Sequence, residues 1–281
     1  MNGRNARALL FALLCPFFFC AACSFRQKDF LPESDAGAAS DNTAVRIWQR
    51  YTARDAAAEK ISGPFRISAN LRYTNASGEN TRVSSLLWSN GKVDSPHPLR
   101  LDILAGIGAV AAKIREDDDS FIAFSPDEKI AYTRARDNRA LLSFGVPIPL
   151  SLGDLTLLLT GRGGRLFLPA GIRTDSGVPP EHDLTDGGAR YTIVGAPLSG
   201  MLELSDTGVP IAWREQKQSG WSLAIEPDDI NPLLPRKLSI SHPKGYSALI
   251  VVKDISRVSP PYTDAQLEIT LPPGTETKSL Q

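Results

Sequence analysis

Three cysteines are the residues best able to do covalent chemistry, and all lie near the start of the chain: Cys15, Cys20 and Cys23. Cys20 and Cys23, in the stretch FFFCAACSF, have the Cys-x-x-Cys spacing of a metal or redox pair. Either use needs a folded setting, and a metal needs further ligands. This pair instead closes an apolar run from Ala8 to Phe19, and no cysteine follows Cys23. Arg4 and Arg7 precede the run, which is too short for a membrane span of about 20 residues and suits the core of a secretory signal. Ala21 and Ala22 are the small residues that a narrow peptidase site needs just before a lipid-modified cysteine. Residues 1–22 therefore read as a lipoprotein signal peptide, cut behind Ala22 so that the thiol of Cys23 carries a diacylglycerol. Cys20 does not fit that role, because bulky Phe19 would hold the position before it. The mature chain then has no other thiol, so neither a disulfide nor a cysteine nucleophile is expected. Two or three acyl chains, at about 0.8 kcal/mol per buried CH₂, anchor stably. Ser24, next in the chain, is permissive for export to the outer membrane.

The remaining chemistry-bearing types form no constellation. His97 and His242 each precede a proline in turn-like contexts, and His182 sits in the stretch PPEHDLTD. None has a partner at metal-ligand spacing. TGRGGR is not a phosphate-binding loop, since no Gly-Lys-Ser/Thr follows, and Gly-x-Ser-x-Gly does not occur. The acidic run Glu116 to Asp119 reads as a solvated turn, and Glu181, Asp183 and Asp186 as a solvated loop. Lys plus Arg and Asp plus Glu both number 31, so the basic excess of a nucleic-acid binder is missing. These residues give no ground for a catalytic site, a metal or a cofactor, and the expectation is a protein that is not an enzyme.

The elements that would position a binding site are clearer. Residues 23–42 are polar and small and read as a flexible tether. Val45, Ile47, Trp48 and Tyr51 then share a face at helical spacing, predicting an amphipathic helix over Thr43–Lys60. After Gly63 the period changes to two, in FRISANLRY, TRVSSLLWS, PLRLDIL, AVAAKIRE, DSFIAFS and KIAYTRA. The alternation puts Phe65, Ile67, Leu71, Leu99, Leu101 and Ile103 on inward faces, joined by Leu87. One or two short Leu-rich helices are expected across DNRALLSFG and SLGDLTLLLTG. Gly161–Ala189 reads as an extended loop with one strand at Arg165–Leu168. Strands resume in RYTIVGA, GMLELSD, PIAWREQ, WSLAIEP, RKLSISH, ALIVVKDISR and AQLEITLP, and residues 274–281 read as a loose tail. More than about ten strands in one sheet must curl or close. The predicted fold is mainly β: a single curled antiparallel sheet over residues 43–273, an incomplete barrel whose apolar concave face is covered by the N-terminal and mid-chain helices.

This layout resembles the LolA/LolB group of periplasmic lipoprotein carriers, and LolB-like proteins most closely. The resemblance rests on the lipid-modified cysteine, the tether, the helix carrying Trp48 and the opening strand GPFRISANLRY. It continues through RVSSLLWSNGK, LRLDILAGIGAVAAKI, PIPLSLGDLTLLLTG and LLPRKLSISHPKGYSALIVVKDIS, and covers most of the mature chain loosely. It implies an outer-membrane-anchored, periplasm-facing protein that takes the acyl chains of lipoprotein cargo, from a LolA-like donor, into an apolar cavity and helps insert them into the outer membrane. Phe65, Ile67, Leu71, Leu87, Leu99, Leu101 and Ile103 would line that cavity. No cofactor is implied. The connection LAGIGAV is a turn without a charge, and Ile107 at its tip looks like the protruding apolar loop residue of LolB, which would touch lipid. A tucked-under Ile107 is the alternative reading of the same residues.

Two other readings remain open at this level. A structural or assembly lipoprotein of the cell envelope could hold a protein partner on the same sheet with no lipid transfer. An envelope hydrolase ranks last for want of a site. A large apolar hollow would favour the carrier, and a filled core the assembly protein.

Overall fold

The computed structural model describes residues 35–280 except 59–62, 76, 92–97, 107, 138, 169–177 and 217–219. The signal peptide, Cys23, His97 and Ile107 lie outside the described residues. Helix α1 spans Asp35–Ala58, beginning well before the predicted Thr43. The segment read as tether holds Ala36, Ala38 and Ala39, and alanine is the best helix former, so its small residues continue the helix backwards.

Strands β1 (Phe65–Thr74), β2 (Asn80–Ser89), β3 (Leu99–Ala105), β4 (Ala109–Glu116), β5 (Ser120–Ser125) and β6 (Ile130–Ala135) form a meander. Three short helices follow: α2 (Ala140–Ser143), α3 (Leu152–Leu159) and α4 (Gly164–Phe167). A second meander runs through β7 (His182–Thr185), β8 (Gly188–Ile193), β9 (Gly200–Ser205), β10 (Pro210–Glu215), β11 (Ser222–Pro227), β12 (Pro235–Ser241) and β13 (Ser247–Arg257). Helix α5 (Asp264–Leu267) and strand β14 (Glu276–Ser279) end the fold. The meanders join where β1 pairs β13 along its whole length, giving one 14-stranded sheet in the order β14-β6-β5-β4-β3-β2-β1-β13-β12-β11-β10-β9-β8-β7. Its ends, β14 and β7, do not pair with each other, so the barrel is incomplete.

Three segments differ from the sequence reading. Gly161–Ala189 is not all loop: it holds α4 where a strand was expected at Arg165–Leu168, then β7 and the start of β8. AQLEITLP is not a strand. Thr263 and Gln266 make a reciprocal capping box there, and the local cap outweighs the alternating pattern. The tail over 274–281 is not loose, since β14 pairs in parallel with β6 from Glu276↔Ile130 to Ser279↔Thr133. Strand β6 would otherwise expose a row of unpaired backbone groups, which the chain end satisfies. Among the described residues this is the one parallel pairing in an otherwise antiparallel sheet.

The inner face is built by the period of two. Ile67 stands opposite Leu87 on β2 and Ile255 on β13, and Leu101 opposite Leu87 and Ile114. Helix α1 covers the β7–β9 end. Ala44, Ile47, Trp48 and Tyr51 are buried, and Trp48 lies with its ring centroid 4.9 Å from Tyr191. The Tyr191 hydroxyl donates to the Ala44 carbonyl at 2.7 Å, and Arg50 Nη1 donates to the Asp206 carbonyl at 2.7 Å, pinning the helix at both edges. On the outer face the C-terminal segment crosses β3 and β4. Arg100 Nη1 donates to the carbonyls of Gln266 and Glu268, and Arg115 bridges Glu268 at 3.0 Å.

Candidate functional site: the covered concave face

The α2–α3 segment lies over the inner face of β1, β2 and β3. Between them is an enclosed apolar cavity of about 30 Å³. Ile67, Leu71, Leu87, Leu101 and Ile103 line its strand side, with Ala69, Ser85 and Ile250. Leu141, Val146, Ile148, Leu152, Leu155 and Leu159 line its helical side. Phe65 and Leu99 are buried on the same inner face but do not reach the cavity. The concave face is thus filled by the protein's own side chains, and the space left holds a water-sized object, not an acyl chain.

Helix α3 is fixed at its N-terminus by two devices. The Ser151 hydroxyl accepts from the Asp154 amide at 2.9 Å, a local N-cap. From across the sheet, the fully buried Glu116 carboxylate accepts the Leu152 amide at 2.8 Å and the Gly153 amide at 2.9 Å. Arg136 lies 3.7 Å from the same carboxylate. An anion suits this place, because the helix N-terminus carries unsatisfied amides and a partial positive charge. Glu116 is therefore not part of a solvated turn, as the acidic run suggested. It ends β4 on the inner side, opposite Leu99 and Phe121. Counting forward by two from Ile114 would have turned it inward. Burial raises the Asp154 carboxyl pKa, opposed by its hydrogen bonding with Ser151 and reinforced by the Glu116 charge.

Two glycines at positive φ bound the segment over the cavity. Gly145 has φ 98°, a backbone conformation that favours glycine, with no atom within 4 Å of a notional Cβ. Gly161 has φ 72°, and a Cβ there would fall 2.1 Å from the Leu233 carbonyl oxygen, so close packing also requires glycine.

A second constellation sits beyond α3. A pocket of about 50 Å³ is bordered by Tyr51, Asp55, Leu158, Phe167, Val209 and Leu234. The Tyr51 hydroxyl is buried with no hydrogen-bond partner. Burial first, and the nearby Asp55 charge second, raise its pKa well above the usual phenol value, so it stays protonated. Asp55 accepts the Gly164 amide at 2.8 Å, and burial lowers the Arg162 pKa against the pull of Asp55. Sequence reading placed Tyr51 on the buried stripe of the helix and gave no sign of its orphaned hydroxyl.

His182 Nδ1 lies 2.8 Å from the Pro180 carbonyl, and His242 accepts the Lys244 amide while its ring lies 4.8 Å from Trp221. Among the described residues no three His, Cys, Asp or Glu side chains converge as a metal site, and no helix is long and apolar enough to cross a membrane.

No model of a known protein family matches this sequence, and no curated protein matches it. Solved structures of similar shape exist at low identity. One is a LolA superfamily protein from Nitrosomonas europaea, 11% identical, covering 78% of this chain and 94% of its own, at a TM-score of 0.47. Another is a DUF1329 family protein from Desulfovibrio piger, 16% identical, covering 80% of this chain and 97% of its own, at 0.49. A third is a domain named as that of an outer membrane lipoprotein-sorting protein, from Vibrio parahaemolyticus, 9% identical, covering 81% and 97%, at 0.45. At these identities and scores they are likenesses of general shape.

Proposed function

We propose that this protein is a LolB-like acyl-chain carrier, held at the outer membrane through lipidated Cys23, that receives lipoprotein acyl chains on its concave face and passes them to the membrane. The observation that carries the reading is the apolar concave face capped by one segment bounded by glycines. Val146 to Thr160 runs between Gly145 and Gly161, both at positive φ. Its side chains Val146, Ile148, Leu152, Leu155 and Leu159 occupy the place an acyl chain would take. Ligand pockets run to about 300–1,000 Å³, roughly ten to thirty times the present cavity, so uptake requires this lid to leave. Each lid leucine is worth about 1.5–3 kcal/mol when buried, and acyl methylenes gain similar energy per area. Exchanging one for the other is near balance, which suits a carrier that must also release. A LolA-like donor in the periplasm would supply the cargo, and Ile107 would touch the acceptor lipid. No cofactor takes part, and the work is transfer between two apolar places, not catalysis.

The filled state of the concave face favours a second reading: an assembly lipoprotein that binds a protein partner and moves no lipid. A fluorescent fatty acid separates the two. The chain from Ser24 onward, which contains every described residue, should bind it and release it to palmitate. Leu101→Glu should abolish binding with the sheet intact. A folded protein that takes up no fatty acid at any concentration below its micelle point favours the assembly protein.

A further inference from the structure

The outer face of the sheet carries an open groove of about 410 Å³ across β1, β2, β3 and β13, on the side away from the lid. Its floor sets Leu104, Leu249 and Val251 beside the polar pair Asn70 and Ser84, and its rim carries Arg72, Arg82 and Lys253. Arg72 on β1 stands directly opposite Arg82 on β2. Like charges in that position destabilise a strand pair. All three cations are exposed, and among the described residues none has an acidic partner within salt-bridge distance. The neighbouring outer-face cations do have one: Arg66 with Asp254, Arg100 with Asp102 and Lys237 with Glu226. Repulsion is thus retained at one place beside cations that are matched.

We infer that this groove docks the protein on an anionic phospholipid surface, with Arg72, Arg82 and Lys253 taking headgroup phosphates and Leu104, Leu249 and Val251 facing the acyl-glycerol boundary. Guanidinium groups suit phosphate because their planar fork gives two hydrogen bonds at once. A peptide is the poorer occupant. Strands β1, β2 and β13 are each paired on both sides, so the floor offers no backbone edge on which an added strand could bond. The inference uses none of the concave face and stands whether or not that face carries lipid.

Vesicle co-sedimentation of the chain from Ser24 onward tests it. Vesicles of phosphatidylglycerol and phosphatidylcholine, one part to two, should bind roughly a hundredfold more tightly than phosphatidylcholine alone, at about fivefold per cation. High salt should remove most of that preference. The double variant R72Q/R82Q should lose about 25-fold on the mixed vesicles. It should melt no lower than the wild type, because a like-charge pair has gone. Arg214→Gln, an exposed cation elsewhere on the outer face, should change nothing. Equal binding to both vesicle types overturns the inference, as does unchanged binding by the double variant. Binding to polyglutamate but not to vesicles would also overturn it, in favour of an acidic protein partner.

Discussion

Glu116→Gln is the substitution through which the lid account is most exposed. The carboxylate holds the Leu152 and Gly153 amides at 2.8 and 2.9 Å from a wholly buried position. Hydrogen bonds to a charged group contribute about 1.5–3 kcal/mol each. Glutamine keeps one acceptor oxygen but sets its NH₂ against an amide donor and removes the charge at the helix N-terminus. The closed lid should lose about 2–3 kcal/mol, a factor of roughly 30–150 in its opening equilibrium. Where the binding-competent state is rare, apparent affinity scales with its population. Glu116→Gln should therefore bind a fluorescent fatty acid some tens of times more tightly, while the amides of Leu152 and Gly153 exchange hydrogen faster. Faster exchange with unchanged or weaker fatty-acid binding would refute the reasoning, since the latch would have opened onto nothing.

Tyr51→Phe should be neutral or stabilising in a thermal melt, because it removes a buried hydroxyl that has no partner; a loss above about 1 kcal/mol would mean the hydroxyl is satisfied after all. Gly164→Ala should cost about 3 kcal/mol, or roughly 6–12 °C, because the new Cβ would fall 2.0 Å from the Asp55 Cγ. Asp154→Asn tests a sign. The wild-type carboxyl has a raised folded pKa, so the unfolded chain gives up its proton first as pH rises past the ordinary carboxylate value, and stability is lost up to the folded value. The variant should melt above the wild type at neutral pH and level with it in acid, as melting temperature against pH would report.

The strands were legible where one face is wet and the other dry. FRISANLRY alternates cleanly because β1 has helices on one side and solvent on the other, and its inward residues follow from that period alone. Trp48 and Tyr51 marked the buried stripe of α1 for the same reason at period 3.6. The lid was visible as Leu-rich sequence, but the leucines of α3 say only that it is buried, not against what. Long-range satisfaction was the part that could not be read. Strand β14 forms because β6 is an edge, and α5 because a local cap beats an alternating pattern. Glu116 follows the period of β4, but the amides it holds arrive 36 residues later in the chain. Each depends on what a distant segment brings, and local period carries no record of that.

The central claim is that the concave face exchanges lid side chains for an acyl chain. Photo-crosslinking with a diazirine-bearing palmitic acid, followed by peptide mapping, tests it most directly. The account predicts adducts on the strand side at Ile67, Leu87, Leu101 and Ile103 and on the lid at Leu152 and Leu155, all suppressed by excess palmitate. Adducts confined to outer-face residues such as Leu249 and Val251, with the inner face untouched in a folded protein, would contradict it.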